Sequence, residues 1–124
     1  MPRYKMLILS RPRQGREARY NEWYDRVHLP QMLALPGFKA AQRFRHTRTL
    51  GEREAFPYAA LYDIETRNLD GVLRELYRVA GSRSLLIDES LDRDSVYAAV
   101  YEAQGPVRRR KPAATRRRGA HPRA

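Results

Sequence analysis

Asn21–Phe44 reads NEWYDRVHLPQMLALPGFKAAQRF, and this stretch decides the fold. Tyr20, just ahead of it, joins Trp23, Tyr24 and Val27 at spacings i, i+3, i+4 and i+7, one face of an amphipathic helix. Pro30 cannot donate a hydrogen bond in a helix interior and biases Leu29 away from helical geometry. The sequence therefore predicts a helix over 16–27 that stops before Pro30, with room for one more turn from Gln31 to Leu35. After Pro36-Gly37, residues 38–47 alternate as a strand. Strict alternation puts Phe38, Ala40, Gln42, Phe44 and His46 on one face, and Lys39, Ala41, Arg43 and Arg45 on the other.

Working outward, residues 4–9 form an apolar run suited to a buried strand, and the polar stretch 48–55 joins the first hairpin strand to a second over 58–65. Asn68 has the side chain of an N-cap. Leu69, Val72, Leu73, Leu76, Tyr77 and Ala80 then repeat with helical spacing, and Gly81 suits the helix end. Residues 82–94 read as a connector with a short helix around Leu85–Ile87, and residues 95–103 as a last alternating strand. The order is β-α-β-β-α-β, a ferredoxin-like α+β arrangement: a four-stranded antiparallel sheet with two helices on one face. The strands are apolar on both faces, with Met6 and Ile8 opposed to Leu7 and Leu9, and Tyr62 and Ile64 to Leu61. The uncovered face calls for a second copy of the chain, so a homodimer is expected.

The charge is unevenly placed. The net charge is +11, yet the segment from Pro106 onward, PVRRRKPAATRRRGAHPRA, holds 8 of the 25 Lys and Arg and none of the 14 acids. Residues 1–105 therefore carry 17 bases and 14 acids and read as one domain with a net charge of +3. The Arg- and Pro-rich segment 106–124 has too few apolar residues to offset ordering entropy and is expected to be disordered. Its two basic clusters, 108–111 and 116–118, suit weak, non-specific contact with nucleic acid, without interleaved aromatics for base stacking. The absence of cysteine removes disulfides and thiolate chemistry. No apolar run is long enough for a membrane span, and MPRYKMLILS is too short in apolar residues for a secretory signal, so a cytoplasmic, membrane-free protein is expected.

The element order, with W-Y-x-x-x-H-L-P at 23–30 and L-P-G-F at 35–38, resembles the dimeric α+β barrel superfamily, and within it the EthD-like and related uncharacterised small proteins. The resemblance spans about residues 4–104 and leaves out the basic segment. It implies pairing of two sheets into a barrel. It also implies a range of activities, among them cofactor-independent monooxygenases, lactone isomerases, polyketide cyclases and dehydratases, and haem enzymes. Fold alone does not choose among them.

His28 is the first candidate for chemistry. It lies one turn after Tyr24, and an imidazole can give and take protons near neutral pH. In isomerase- or dehydratase-like EthD relatives, the resemblance implies an acid–base role for a His at this place. Asp25, three residues earlier, is positioned to hold the second ring nitrogen. The structural reading is that His28 satisfies carbonyls at the end of a Pro-terminated helix. Trp23, Tyr24 and Tyr62, with Tyr4, Phe44, Tyr97 and Tyr101, offer walls for a flat ligand, or else core and interface. Arg43 suits a substrate carboxylate or enolate, or an ion pair with Asp63 or Glu65 on the neighbouring strand. There is no phosphate loop, dinucleotide fingerprint or nucleophile elbow, and the three His are too scattered for a metal cluster. The expected activity is that of a small enzyme needing no cofactor: a lyase, isomerase or cyclase acting on a small carbonyl or aromatic compound. The alternatives are a non-catalytic dimeric binding or stress-type protein, and a nucleic-acid-associated dimer using its basic segment.

Overall fold

The computed structural model describes residues 1–113. Four strands, β1 (Arg3–Ser10), β2 (Phe38–Arg45), β3 (Tyr58–Glu65) and β4 (Tyr97–Glu102), form one antiparallel sheet in the order β2-β3-β1-β4. Helices α1 (Glu17–Trp23), α2 (Leu29–Leu33) and α3 (Leu69–Val79) pack on one face. This is the βαββαβ order expected from the sequence. The inward face of β1 and β3 pairs Met6 with Tyr62, and Tyr4 with Ile64. Tyr62 and Ile64 lose all contact with water, as does Tyr20 of α1. Asn68 caps α3 as expected, its side-chain oxygen accepting from the Gly71 N–H at 2.9 Å.

The first helix does not stop before Pro30. Between α1 and α2 the chain stays helical through a π-turn, Tyr24–His28, in which the Leu29 N–H donates to the Tyr24 carbonyl five residues back. In an α-helix the Pro30 ring would collide with the carbonyl four residues earlier, and its absent N–H would break the ladder. One wider turn relieves both, so helical backbone runs from residue 17 to residue 33. The sequence rule identified the disturbed position but not its outcome.

Strict alternation in the second strand also fails. A β-bulge between Phe38 and Ala40 shifts the register, so Phe38 faces Ile64 while Ala41 and Arg43 face Tyr62 and Ala60. Phe38 and Arg43 therefore share the helix-covered face, and Ala40, Gln42 and Phe44 lie on the open one. Gly37 makes the entry to β2 with φ +90°, and a Cβ there would stand 3.0 Å from the Val72 side chain.

No helix forms at Leu85–Ile87. Leu85 is instead buried in an isolated bridge with Ala80, and the only turn of helix in the connector, 3-10 in type, is Arg93–Ser95. The open sheet face carries half-buried Leu7, Leu9 and Leu61 beside exposed Phe44, Tyr97 and Tyr101. Residues 106–113 are exposed and lie in no helix or strand. The cluster at 116–118 lies outside the described residues. No helix among the described residues is long and apolar enough to cross a membrane.

Candidate functional site

Between the helices and the sheet lies a cavity of about 190 Å³. Its floor is Met6, Ile8 and Ser10 of β1, and its helical walls are Trp23, Tyr24, His28, Met32 and Leu76. The connector closes it with Leu85, Ile87 and Leu91. Polar contacts hold that connector in place. The Gln31 side chain donates to the Arg83 carbonyl at 2.9 Å and accepts from the Leu86 N–H at 2.7 Å. Trp23 Nε1 donates to the Leu86 carbonyl at 3.2 Å, and the Arg19 guanidinium forks onto Asp88 at 3.0 and 3.1 Å. Burial alone would raise the Asp88 carboxyl, but Arg19 and Ser90 outweigh it and hold the group down at about 2.

The π-turn places His28 in this wall. Residues five apart diverge in an α-helix, yet here the Trp23 and His28 rings meet with centroids 4.6 Å apart. Tyr24 meets the same imidazole edge-on at 5.0 Å. His28 is only 9% exposed, and its Nδ1 is buried with no hydrogen-bond partner. Burial, and then the positive charge of Arg43, hold the imidazole down at about 4, with the Leu86 backbone opposing. At neutral pH the ring is uncharged, able to accept one hydrogen bond and donate another. Burial likewise pushes the Tyr24 hydroxyl up to about 12, and it raises those of Tyr20 and Tyr62, so all three stay protonated.

Arg43 is drawn into a different cluster. Its guanidinium donates to Asp25 at 2.9 Å and to Asn21 at 2.7 Å. It lies 4.5, 5.2 and 5.5 Å from the ring centroids of Tyr24, Tyr58 and Tyr20. Asn21 passes the network on by donating to the Tyr58 hydroxyl at 3.1 Å, and Tyr58 donates to Glu17. The expected pair of Arg43 with Asp63 or Glu65 does not form, because the bulge turns Arg43 to the helix side while Asp63 bonds Lys5 on the open face. Nor does Asp25 orient His28: its carboxylate is exposed and bonded to Arg43.

Trp23, Tyr24 and His28 thus gather at the cavity. Arg43 and Asp25 line a separate open depression with Asn21 and Tyr58, and Tyr62 lies buried in the core and lines neither. Of the other aromatics, Phe44, Tyr97 and Tyr101 lie on the open sheet face. Sequence reasoning missed Ser10, a buried residue on the cavity floor whose hydroxyl meets that of Tyr20 at 2.6 Å. The signal lay in the alternation of β1, which puts Ser10 in line with Met6 and Ile8.

A proposed monooxygenase from Shewanella loihica PV-4 superposes on 86% of this chain and 99% of its own, with a TM-score of 0.56 and 12% identity. The chain shares its α+β fold with that protein. An EthD-family protein from Bacillus halodurans C-125 superposes on 84% of this chain and all of its own, with a TM-score of 0.49 and 12% identity. No protein-family model and no curated protein sequence matches the chain. Identity this low carries the fold alone and leaves the chemistry to this chain's own residues.

Proposed function

We propose that the protein is a small enzyme that takes a compact carbonyl or aromatic compound into the His28 cavity and moves a proton with the neutral imidazole. The observation that carries the reading is a buried imidazole, without a partner at Nδ1, on the wall of an apolar cavity. Buried polar atoms are nearly always satisfied, so an unpartnered ring nitrogen beside an apolar cavity suits a ligand that brings a polar group of its own. In the reaction the proton of a C–H bond next to a carbonyl passes to His28, and the electron pair spreads onto the carbonyl oxygen. Return of the proton at another carbon gives isomerisation, whereas expulsion of a neighbouring hydroxyl gives a lyase product.

The low pKa of His28 favours a second reading. A base held at about 4 takes protons only from strongly activated carbon acids, whereas it accepts a hydrogen bond without difficulty. The second reading is therefore a binding protein that holds the same ligand without turnover. One experiment separates them: proton–deuterium exchange at the activated carbon of a bound aryl ketone in D2O. Exchange above the solvent rate that disappears in His28→Leu supports the enzyme. Binding without exchange supports the carrier, and no binding removes both.

The apolar side chains on the open sheet face, Leu7, Leu9, Leu61 and their aromatic neighbours, support pairing of two copies.

A further inference from the structure

Apart from the rings of Trp23 and Tyr24 and the rim residue Tyr77, two polar side chains reach the cavity: His28 from the helix and Ser10 from the sheet. Trp23 Nε1 is already engaged by the Leu86 carbonyl. The two polar groups have opposite characters. His28, neutral and unpartnered at Nδ1, has an acceptor to offer. Ser10 Oγ and the Tyr20 hydroxyl meet at 2.6 Å, a contact in which either can donate. With Tyr20 as the donor, Ser10 keeps its own hydrogen for the cavity. No Lys, Arg, Asp or Glu lines the space, and Arg43 is held outside by Asp25 and Asn21. A ligand carboxylate would be buried there with no cation to meet it.

Size narrows the class further. A cavity of about 150 Å³ in another protein is large enough for benzene. The present 190 Å³ therefore takes one ring with two small substituents and is too small for a fused polycycle.

We propose that the ligand is an uncharged single-ring compound bearing one hydroxyl and one carbonyl oxygen, the hydroxyl donating to His28 and the carbonyl accepting from Ser10. This rests on the cavity being the binding site and on the second reading above, in which His28 accepts a hydrogen bond and takes no proton from carbon, and it adds the ligand class.

The test uses the full chain and a panel of probes at slightly acidic pH, where the phenols are neutral: the three hydroxybenzaldehydes, phenol, benzaldehyde, the hydroxybenzoates and a hydroxynaphthaldehyde. Binding is followed by calorimetry and by NMR of the Trp23 and His28 side chains. The best hydroxybenzaldehyde is expected to bind about tenfold tighter than phenol or benzaldehyde, since each lacks one hydrogen bond. It is also expected to outbind both the matching hydroxybenzoate and the fused ring. Ser10→Ala removes the advantage over phenol and leaves phenol itself unchanged. Tyr20→Phe, which removes the hydroxyl that meets Ser10, does the same in weaker form and serves if Ser10→Ala folds poorly. Hydroxybenzoates or the fused ring binding as tightly as the aldehydes, or both variants leaving the selectivity intact, overturn the class while the cavity stands. A panel in which no compound moves the Trp23 or His28 signals overturns the cavity reading as well.

Discussion

The Trp23 and His28 rings lie with centroids 4.6 Å apart and planes inclined by 31°, although five residues separate them in the chain. The π-turn makes that meeting, and Pro30 explains the π-turn. A residue that reads as a helix breaker is therefore the device that sets the imidazole against the tryptophan at the cavity wall.

Pro30→Ala tests that link. Alanine restores the missing donor and removes the ring that collides with the preceding turn. The turn is expected to relax toward α geometry and swing His28 away from Trp23. Upfield ring-current shifts of the His28 protons should then diminish. Undiminished shifts would show that the π-turn has another cause.

Arg43 is expected to matter for stability far more than its ion-pair partner. Its side chain is 13% exposed and braced by three tyrosines and Asn21, whereas that of Asp25 is 61% exposed. In urea unfolding, Arg43→Met should cost about 2 kcal/mol through lost cation–π and hydrogen-bond contacts. Asp25→Asn should cost under about 1 kcal/mol, as for other exposed pairs. Arg43→Met should also raise the His28 pKa, because the guanidinium charge now depresses it. Equal losses from the two substitutions would mean that the ion pair, and not the aromatic cage, holds Arg43.

His28 makes stability depend on pH in a defined window. Its folded value of about 4 lies below the ordinary 6.5, so between those values the unfolded chain binds more protons. Stability from the neutral imidazole is complete above pH 6.5 and declines as pH falls toward 4, by about 3 kcal/mol in all. Asp88, held at about 2 against an ordinary 3.8, adds a further loss at still lower pH. In His28→Leu the slope between pH 6.5 and 4 should vanish, with little stability lost at pH 7, because an apolar group replaces an unpartnered polar one. A slope that survives the substitution would place the titrating group elsewhere.

The open sheet face should behave as an interface. Leu61→Glu puts a charge at its centre, between Leu7 of β1 and Gln42 of β2, without touching the helix-covered core. The parent chain is expected to sediment as a dimer and the variant as a monomer. A parent that is already monomeric at micromolar concentration removes the pairing proposal.

The strand and helix order was legible because it depends on local periodicity: 58–65 and the Asn68-capped helix follow directly from side-chain spacing. What escaped were two one-residue insertions. The bulge at Lys39 and the wide turn at Tyr24–His28 each add a residue within an otherwise regular element, and tertiary packing pays for both irregularities. Each changes which side chains share a face. The bulge moved Arg43 next to Asp25 and away from Asp63, and the wide turn took His28 from the end of a helix to its middle. Ser10 escaped for another reason: its hydroxyl meets Tyr20, which comes from another element.

The most direct test of the whole account is the protonation of His28 followed by NMR of its imidazole, in the free protein and with a hydroxybenzaldehyde bound. The expected result is a ring neutral from pH 8 down to below 5, with a midpoint at about 4, whose signals shift when the ligand is added. A ring that titrates near the ordinary value of about 6.5, and ignores every ligand, would contradict it.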